Sequence, residues 1–499
     1  MHFYTTKTIK IIPNFNFTAL GYLTLKWDKI EKTIQEQKMK NNVRSTKPFG
    51  IKDKIGYLFG DFGNDFTFLL SSTFLLKFYT DVMGIAPWIV GVIMTLARFL
   101  DGVTDITMGR ICDKSRERAA GKFKPWILRM CAPVAIASFL IYQSSLKDMS
   151  TAFKVAWLAI TYILWGSIFY TSINIPYGSM ASVISSEPHD RQSLSTFRTM
   201  GSTLAGVIVG AGIPLLAYDK IGATTVLNGQ RFTVIAGVFS IFSIICYLIC
   251  YYLTTERISY SNREIQHRSI GEMLGAALKN RALISIITAS VVMLMAQLTL
   301  QSMSNYIYPN YYGNVAAQSA STFAMLFCMI IAAVLSKPLA RRFGKAEISA
   351  VANLGAAGVC VLLFFVRPSN VWAYVGFNLI SWLGLGIFSM VSWALITDVI
   401  DDAELKNGVR EDGTIYALYS FARKLGQAVA AGLSGGLLSL IGYSDATAFD
   451  PSVLTGIFNI STLVPALGFT LLALILWLWY PLKKAVVKKN TEALKEKHG

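Results

Sequence analysis

Histidine is nearly absent from this 499-residue chain. The four residues His2, His189, His267 and His498 fall in tails or in polar stretches between apolar runs, so a histidine-based catalytic centre or an intramembrane metalloprotease has nothing to work with. Cysteine is scarce too. Cys112, Cys131, Cys246, Cys250, Cys328 and Cys360 lie within or at the edge of apolar runs, without paired-loop spacing, which leaves no basis for a disulfide framework or a thiolate metal site. No G-x-x-x-x-G-K-[ST] loop is present, so the chain carries no ATP-hydrolysing engine of the usual kind. Charged residues make up only 15% of the chain, against 53% hydrophobic and 12% aromatic. That is more apolar surface than a soluble fold can hide, and the chain reads as an all-α polytopic membrane protein and not an enzyme. The net charge of +17 is scattered through short loops and both tails, which fits membrane topology and excludes a nucleic-acid partner.

What is present is a series of apolar runs. Stretches long enough to span a bilayer core fall at 56–80, 86–111, 126–145, 152–184, 195–218, 231–254, 281–308, 316–337, 348–366, 371–397, 413–441 and 454–481. About twelve membrane-spanning helices are expected. Lys and Arg occupy alternate connections: Lys114, Arg116, Arg118, Lys122 and Lys124, then Arg191, then Arg257, Arg263 and Arg268, then Lys337, Arg341, Arg342 and Lys345, then Lys406 and Arg410. The intervening connections hold little beyond Lys147, Lys220 and Arg367. The positive-inside rule therefore puts both basic tails in the cytoplasm of a cell-membrane protein.

The longest polar connection, 255–280, divides the chain into six spans and six. It is too short to be a folded signalling domain. The expected organisation is a basic tail (1–50), a first half (51–254), a cytoplasmic central loop (255–280), a second half (281–481) and a basic tail (482–499). The basic, glycine-containing connections "GRICDKSRERAAGKFKPW" and "SKPLARRFGKAE" stand at equivalent positions of the two halves, the pattern of the parallel six-helix repeats of major facilitator transporters. The run "IIPNFNFTALGYLTL" is broken by Pro13 and Asn14 and lacks a small-residue cleavage site, which argues against a signal peptide. Met39 is an alternative start.

Several ionisable residues sit inside these spans, where an idle charge is costly. Counted from the span ends at about 1.5 Å per residue, Asp65, Asp101, Asn174, Arg198 and Lys424 converge on one depth near the midplane, where such carriers bind substrate and coupling ion. Asp101 and Asp105 are spaced i, i+4, so they share a helix face with Cβ atoms roughly 5–6 Å apart. Two carboxylates that close in a low dielectric call for a proton or a metal cation between them. The alternative is a pair of structural salt bridges, Asp101 with Arg98 and Asp105 with another basic residue. Asp61 and Asp65 repeat the spacing, but Asp61 is nearer the span end and is expected to be hydrated, so Asp65 is the one assigned.

The segments "YLFGDFGNDF", "YTDVMGI", "ARFLDGVTDITMGRICDKSRERAAGKFKPW", "INIPYGSMASVISSEPHDRQSLSTFR" and "DVIDDAELKNGVREDGTIYALYSFARKLGQAVAAGLSG" together resemble the glycoside-pentoside-hexuronide:cation symporters, the melibiose-carrier-like branch of the major facilitator superfamily. The likeness runs from about residue 50 to 480, with the motifs in the expected order. It implies that Asp65 and Arg198 hold sugar hydroxyls, that Tyr170 lies near the sugar, that Asp101 and Asp105 bind the cation, and that Lys424 lies near that pair and supports coupling. Asn174 stands where melibiose-type members have an aspartate shared by both sites, and Gly178 where they have a tryptophan. Asn174 is therefore assigned to both the sugar and the cation site.

Replacing that aspartate by Asn174 keeps an oxygen but removes a charge, which weakens metal binding more than protonation. H⁺ is the expected coupling ion. Na⁺, held by Asp101 and Asp105 with Asn174, is the alternative. The expected partners are a small-molecule sugar, the cation and the lipid bilayer, with no cofactor and with function as a monomer. Two other readings compete with sugar:cation symport: a lysolipid carrier of the same fold, and a membrane sugar sensor that does not transport.

Overall fold

Polar caps and prolines mark where the apolar runs start to coil. The computed structural model describes residues 48–115, 118, 120–222, 224–258, 280–407 and 412–498. The expectations for the tail before residue 48, Met39 included, and for most of the central loop lie outside the described residues.

The first half comprises α1 (Ile51–Asp81), α2 (Pro87–Lys114), α3 (Lys124–Ile141), α4 (Thr151–Ile184), α5 (Pro188–Val207, continued by Ile208–Gly212 and Ile213–Ala217) and α6 (Gly229–Leu253). The second comprises α7 (Arg281–Tyr311), α8 (Val315–Phe343), α9 (Lys345–Val366), α10 (Val371–Asn407), α11 (Asp412–Leu440) and α12 (Pro451–Trp479). A short antiparallel hairpin, β1 (Tyr218–Ile221) with β2 (Thr224–Leu227), follows α5. Side-chain oxygens of Ser150, Asn228, Asn280 and Asn314 accept from backbone N–H groups in the first turns of α4, α6, α7 and α8 at 3.0–3.3 Å, satisfying donors that a helix start leaves bare.

Among the described residues, nine helices are long and apolar enough to cross a membrane. The other three long ones, α1, α2 and α11, have 31, 28 and 29 residues; they carry Asp61, Asp65, Arg98, Asp101, Asp105 and Lys424. The helices that fall short in apolarity are thus those that bear the four aspartates of the candidate site, with Arg98 and Lys424. The apolar face of α6 turns outward: Val234, Val238 and Ile241, on one stripe, are each more than half exposed, as a lipid-facing surface requires.

In the first half α1 packs on α5 and α6, and α3 on α6; in the second, α7 packs on α11 and α12, and α9 on α10 and α12. The halves meet along α2 and α11, with smaller contacts of α1 with α7 and of α5 with α8. Glycine makes the α2–α11 seam close: a Cβ at Gly91 would lie 3.2 Å from both the Ala431 carbonyl oxygen and Gly435 Cα. Small residues allow backbones this near, and Thr95 Oγ1 donates across the seam to the Ala428 carbonyl at 3.0 Å.

The polar contacts between the halves gather toward the C-terminal end of α1. Lys77, 1% exposed, pairs with Asp81 at 2.7 Å and donates to Asn310 Oδ1 at 2.7 Å and to the Tyr443 hydroxyl at 2.9 Å. Tyr443 in turn donates to Asp81 at 2.8 Å. At the opposite end each half is bolted to itself. Arg257 pairs with Asp53 at 2.8 Å and Lys345 with Asp398 at 2.6 Å. Glu256 accepts from the backbone N–H groups of Lys122, Phe123 and Lys124 at 2.7–2.9 Å. Gly121, at φ 130°, lies against that carboxylate, where a Cβ would collide with it; this is the physical reason for glycine in the G-K-F-K-P-W loop.

The basic C-terminal stretch adds a helix, α13 (Lys484–His498). It docks under the second half, where Asn490 Nδ2 donates to Asp402 at 3.1 Å and the Lys484 N–H to Glu347 at 2.9 Å.

Candidate functional site

Two pairs of aspartates, each spaced by one helical turn, meet two pairs of partners with the same spacing on neighbouring helices. On α1 and α5, Arg198 Nε donates to Asp61 Oδ1 at 3.0 Å, and one turn on Ser202 Oγ donates to Asp65 Oδ2. On α2 and α4, Ser167 Oγ donates to Asp101 Oδ1 at 2.6 Å, and one turn on Thr171 Oγ1 donates to Asp105 Oδ1 at 2.9 Å. Residues four apart stack on one helix face, so each interface becomes a two-rung ladder. Buried carboxylates need partners of this kind.

The second ladder also carries two cations. Arg98 Nη1 lies 3.1 Å from Asp101 Oδ2, and Lys424, from α11 of the other half, forms an ion pair with Asp105. Both members of the alternative, structural salt bridges at Asp101 and at Asp105, are thus present. They coexist with the acidic pair, and Asp105 takes the very lysine expected to lie near it.

Local helix geometry explains the alignment on α4. Residues Leu164–Tyr170 form a π-helical turn, a widening that shifts side chains around the axis and recurs at functional sites. Ser167 lies within it and Thr171 directly after it, so the widened turn sets the register of both hydroxyls against Asp101 and Asp105.

Asn174, one turn beyond Thr171, does not reach the aspartate pair through a hydrogen bond of its own. Its Oδ1 accepts from Asn64 Nδ2 at 3.2 Å, and Asn64 Oδ1 accepts from the Tyr247 hydroxyl at 2.7 Å. One face of α4 therefore touches the α2 acids through Thr171 and the α1 polar face through Asn174. Tyr170 stacks on Phe68 with ring centres 5.7 Å apart and lies against Trp165; Phe68 also carries the Arg98 guanidinium at 5.1 Å. Tyr170 is thus part of the aromatic wall between the ladders. Gly178 opens beside Arg198: a Cβ there would stand 3.9 Å from Nη1.

The structure corrects one expectation. Asp61 is 7% exposed and is the carboxylate that pairs with Arg198, whereas it was expected to be hydrated; packing of α5 and α6 over α1 shields it. Ser202, Ser167, Thr171 and Asn64 were not anticipated. For the three hydroxyls the signal was the one used for the acids, since Arg198/Ser202 and Ser167/Thr171 are also i, i+4 pairs; Asn64 had no such signal.

The family described as MFS/sugar transport protein matches residues 56–484. The chain belongs to this family of sugar transporters. The transporter is 32% identical over 440 residues to the glucuronide carrier protein homolog of Escherichia coli (strain K12), covering 86% of this chain and 92% of that one. It is 29% identical over 451 residues to the isoprimeverose transporter of Lactiplantibacillus pentosus, covering 90% and 92%. Among solved structures, the D-xylose-proton symporter shares its fold with a TM-score of 0.59 at 13% identity, covering 86% of this chain and 97% of that one. The transporter is therefore a multi-pass membrane protein of the major facilitator fold.

Proposed function

We propose that this transporter is a sugar:cation symporter working by alternating access, with H⁺ as its coupling ion. The observation that carries the reading is the Lys424–Asp105 pair, which ties the second half to the acidic ladder of the first. A proton arriving on Asp105 cancels the charge that holds Lys424. Loading the cation site thereby loosens a tie between the halves.

The Asp61/Asp65–Arg198/Ser202 ladder supplies what a sugar needs, since carboxylates accept from, and a guanidinium donates to, neighbouring hydroxyls in fixed forks. Helix α4 links the two sites: Thr171 touches Asp105, and Asn174, on the next turn, touches Asn64 between Asp61 and Asp65 in sequence. One charge moving inward across about 100 mV supplies about 2.3 kcal/mol, nearly fiftyfold in substrate concentration.

The alternating Lys and Arg content of the connections supports a cell-membrane orientation with both termini in the cytoplasm. The joined end around Lys77 then faces outside, which supports reading this arrangement as an inward-facing state. Both ladders are complete within one chain, which supports a monomeric unit. The relatives named for glucuronide and isoprimeverose support a glycoside, pentoside or hexuronide as substrate. Uptake of radiolabelled sugars into energised membrane vesicles tests the reading. Accumulation above equilibrium that requires an inward cation gradient supports it; equilibration only, or no uptake, overturns it.

A further inference from the structure

At the end opposite the Lys77 cluster, the connection between α2 and α3 builds a pocket of about 260 Å³ that neither ladder uses. It is lined by Ser115, Arg118, Lys122, Pro125, Trp126 and Arg129. Arg118 and Gly121 exchange backbone hydrogen bonds at 3.0 and 3.1 Å, which folds the connection into a tight loop and brings Arg118 and Lys122 to the start of α3. Arg129 joins them from within α3, one turn after Pro125.

The pocket is cationic and its charges are uncommitted. Among the described residues, the guanidinium groups of Arg118 and Arg129 make no hydrogen bond or ion pair, and Lys122 Nζ donates to a backbone carbonyl, that of Asp113, at 2.9 Å. No Asp or Glu lines the pocket. The carboxylate that the loop does hold, Glu256, is buried and already accepts from three backbone N–H groups. Three like charges thus converge, and an anion among them relieves their repulsion. The equivalent connection of the second half is closer to neutral: of Lys337, Arg341 and Lys345, which line a pocket there, Lys345 is paired with Asp398 at 2.6 Å.

The pocket is also continuous with the lipid-facing surface. Steps of three and four residues keep one helix face, and from Pro125 and Arg129 such steps lead along α3 to Ala132 and Ile136. On that face Leu128 is 40% exposed and Ile136 57%, and on α2 Ile111, one turn before Ser115, is 45% exposed. Trp126 lies in the first turn of α3, at the level where headgroups meet acyl chains and where tryptophan rings settle. The stem of Arg129 can lie along apolar surface while its guanidinium reaches the headgroups. A soluble anion would use the three charges and none of the apolar stripe, whereas a phospholipid uses both.

We infer that this pocket is a binding site for an anionic phospholipid of the inner leaflet. Its phosphate sits among Arg118, Lys122 and Arg129, a basic pocket of the kind that takes lipid headgroups, and an acyl chain runs along Leu128, Ala132 and Ile136. The inference goes beyond sugar transport and does not depend on it; it rests on the membrane orientation proposed above.

The test is native mass spectrometry of the purified transporter titrated with dioleoylphosphatidylglycerol or dioleoylphosphatidylcholine. Three proteins are compared: wild type, Arg118→Gln/Arg129→Gln, and Lys488→Gln/Lys489→Gln, which removes the same charge from exposed positions of α13. Wild type is expected to hold the first phosphatidylglycerol about tenfold or more tightly than phosphatidylcholine. Arg118→Gln/Arg129→Gln lowers that affinity about tenfold or more, at about fivefold per cation, and leaves phosphatidylcholine binding and the melting temperature in phosphatidylcholine unchanged. Lys488→Gln/Lys489→Gln shifts it by less than about twofold. If the arginine variant cannot be purified, Lys122→Gln decides, with an expected loss of about fivefold. Equal affinity of wild type for the two lipids overturns the inference, and so does an equal loss in the two double variants, because charge anywhere on that side would then suffice. Displacement of phosphatidylglycerol by equal concentrations of inorganic phosphate or glycerol 3-phosphate assigns the pocket to a soluble anion and overturns the lipid. Each result is read without any sugar, so it stands apart from the outcome of the uptake experiment.

Discussion

Lys424 of α11 reaches across the interface between the halves to pair with Asp105 of α2. Asp105 already accepts from Thr171 of α4 at 2.9 Å. One carboxylate thus joins three helices and both halves, and its charge state is felt by all three.

Under the proposed coupling, neutralising that carboxylate removes the difference in affinity that links cation to sugar. Asp101→Asn and Asp105→Asn are expected to abolish accumulation while leaving gradient-free sugar exchange and membrane insertion intact. Full accumulation by both variants sinks the assignment. Because a charge left without its partner is the costly outcome, Asp105→Asn combined with Lys424→Met is expected to melt higher than Lys424→Met alone.

The sugar ladder makes a separate prediction. Asp61→Ala, Asp65→Ala and Arg198→Ala each remove a charge-assisted hydrogen bond of roughly 1.5–3 kcal/mol and are expected to weaken sugar binding without any gradient by about ten- to a hundredfold. Ser202→Ala, which removes a neutral donor, is expected to cost less. A binding titration on purified protein checks the order, and an Asp61→Ala affinity equal to wild type moves the sugar elsewhere.

How far the sequence showed this arrangement depended on spacing. Twelve apolar runs became twelve long helices, because hydropathy along the chain is read directly, and Lys424, counted to the level of the acidic pair, meets Asp105. Partner choice was not legible in the same way. Arg198 selected Asp61 and not Asp65, a difference of one turn set by how α5 slides on α1, and the backbone of Gly201 pressed against Leu58 fixes that slide. The π-helical turn that aligns Ser167 and Thr171 has no periodic signature. Asn174 was legible as a departure from the melibiose pattern, but its turn toward Asn64 depends on the packing of α4 against α1.

The closed end is predicted to act as a latch. Lys77 is buried among Asp81, Asn310, Tyr443 and the Tyr306 ring, which lies 4.4 Å from Nζ. Removing it leaves Asp81 without its cation, a loss of about 3–5 kcal/mol for a buried pair, and this loss falls on the closed outer state. Lys77→Met is expected to shift the population outward. The measurement is labelling of a cysteine placed at Gln301, which lines the central cavities, by a membrane-impermeant maleimide added outside. Labelling is expected to be several-fold faster in Lys77→Met, and an unchanged rate removes the latch from the account.

The coupling ion offers the most direct test of the whole account. Sealed vesicles loaded at high pH and diluted into low-pH, Na⁺-free medium are expected to accumulate labelled sugar above equilibrium and to lose it when a protonophore is added, and Asn174→Asp is expected to gain a Na⁺ dependence. Accumulation that requires Na⁺ and ignores the protonophore, with Asn174→Asp behaving as wild type, would contradict proton coupling through the Asp101/Asp105 ladder.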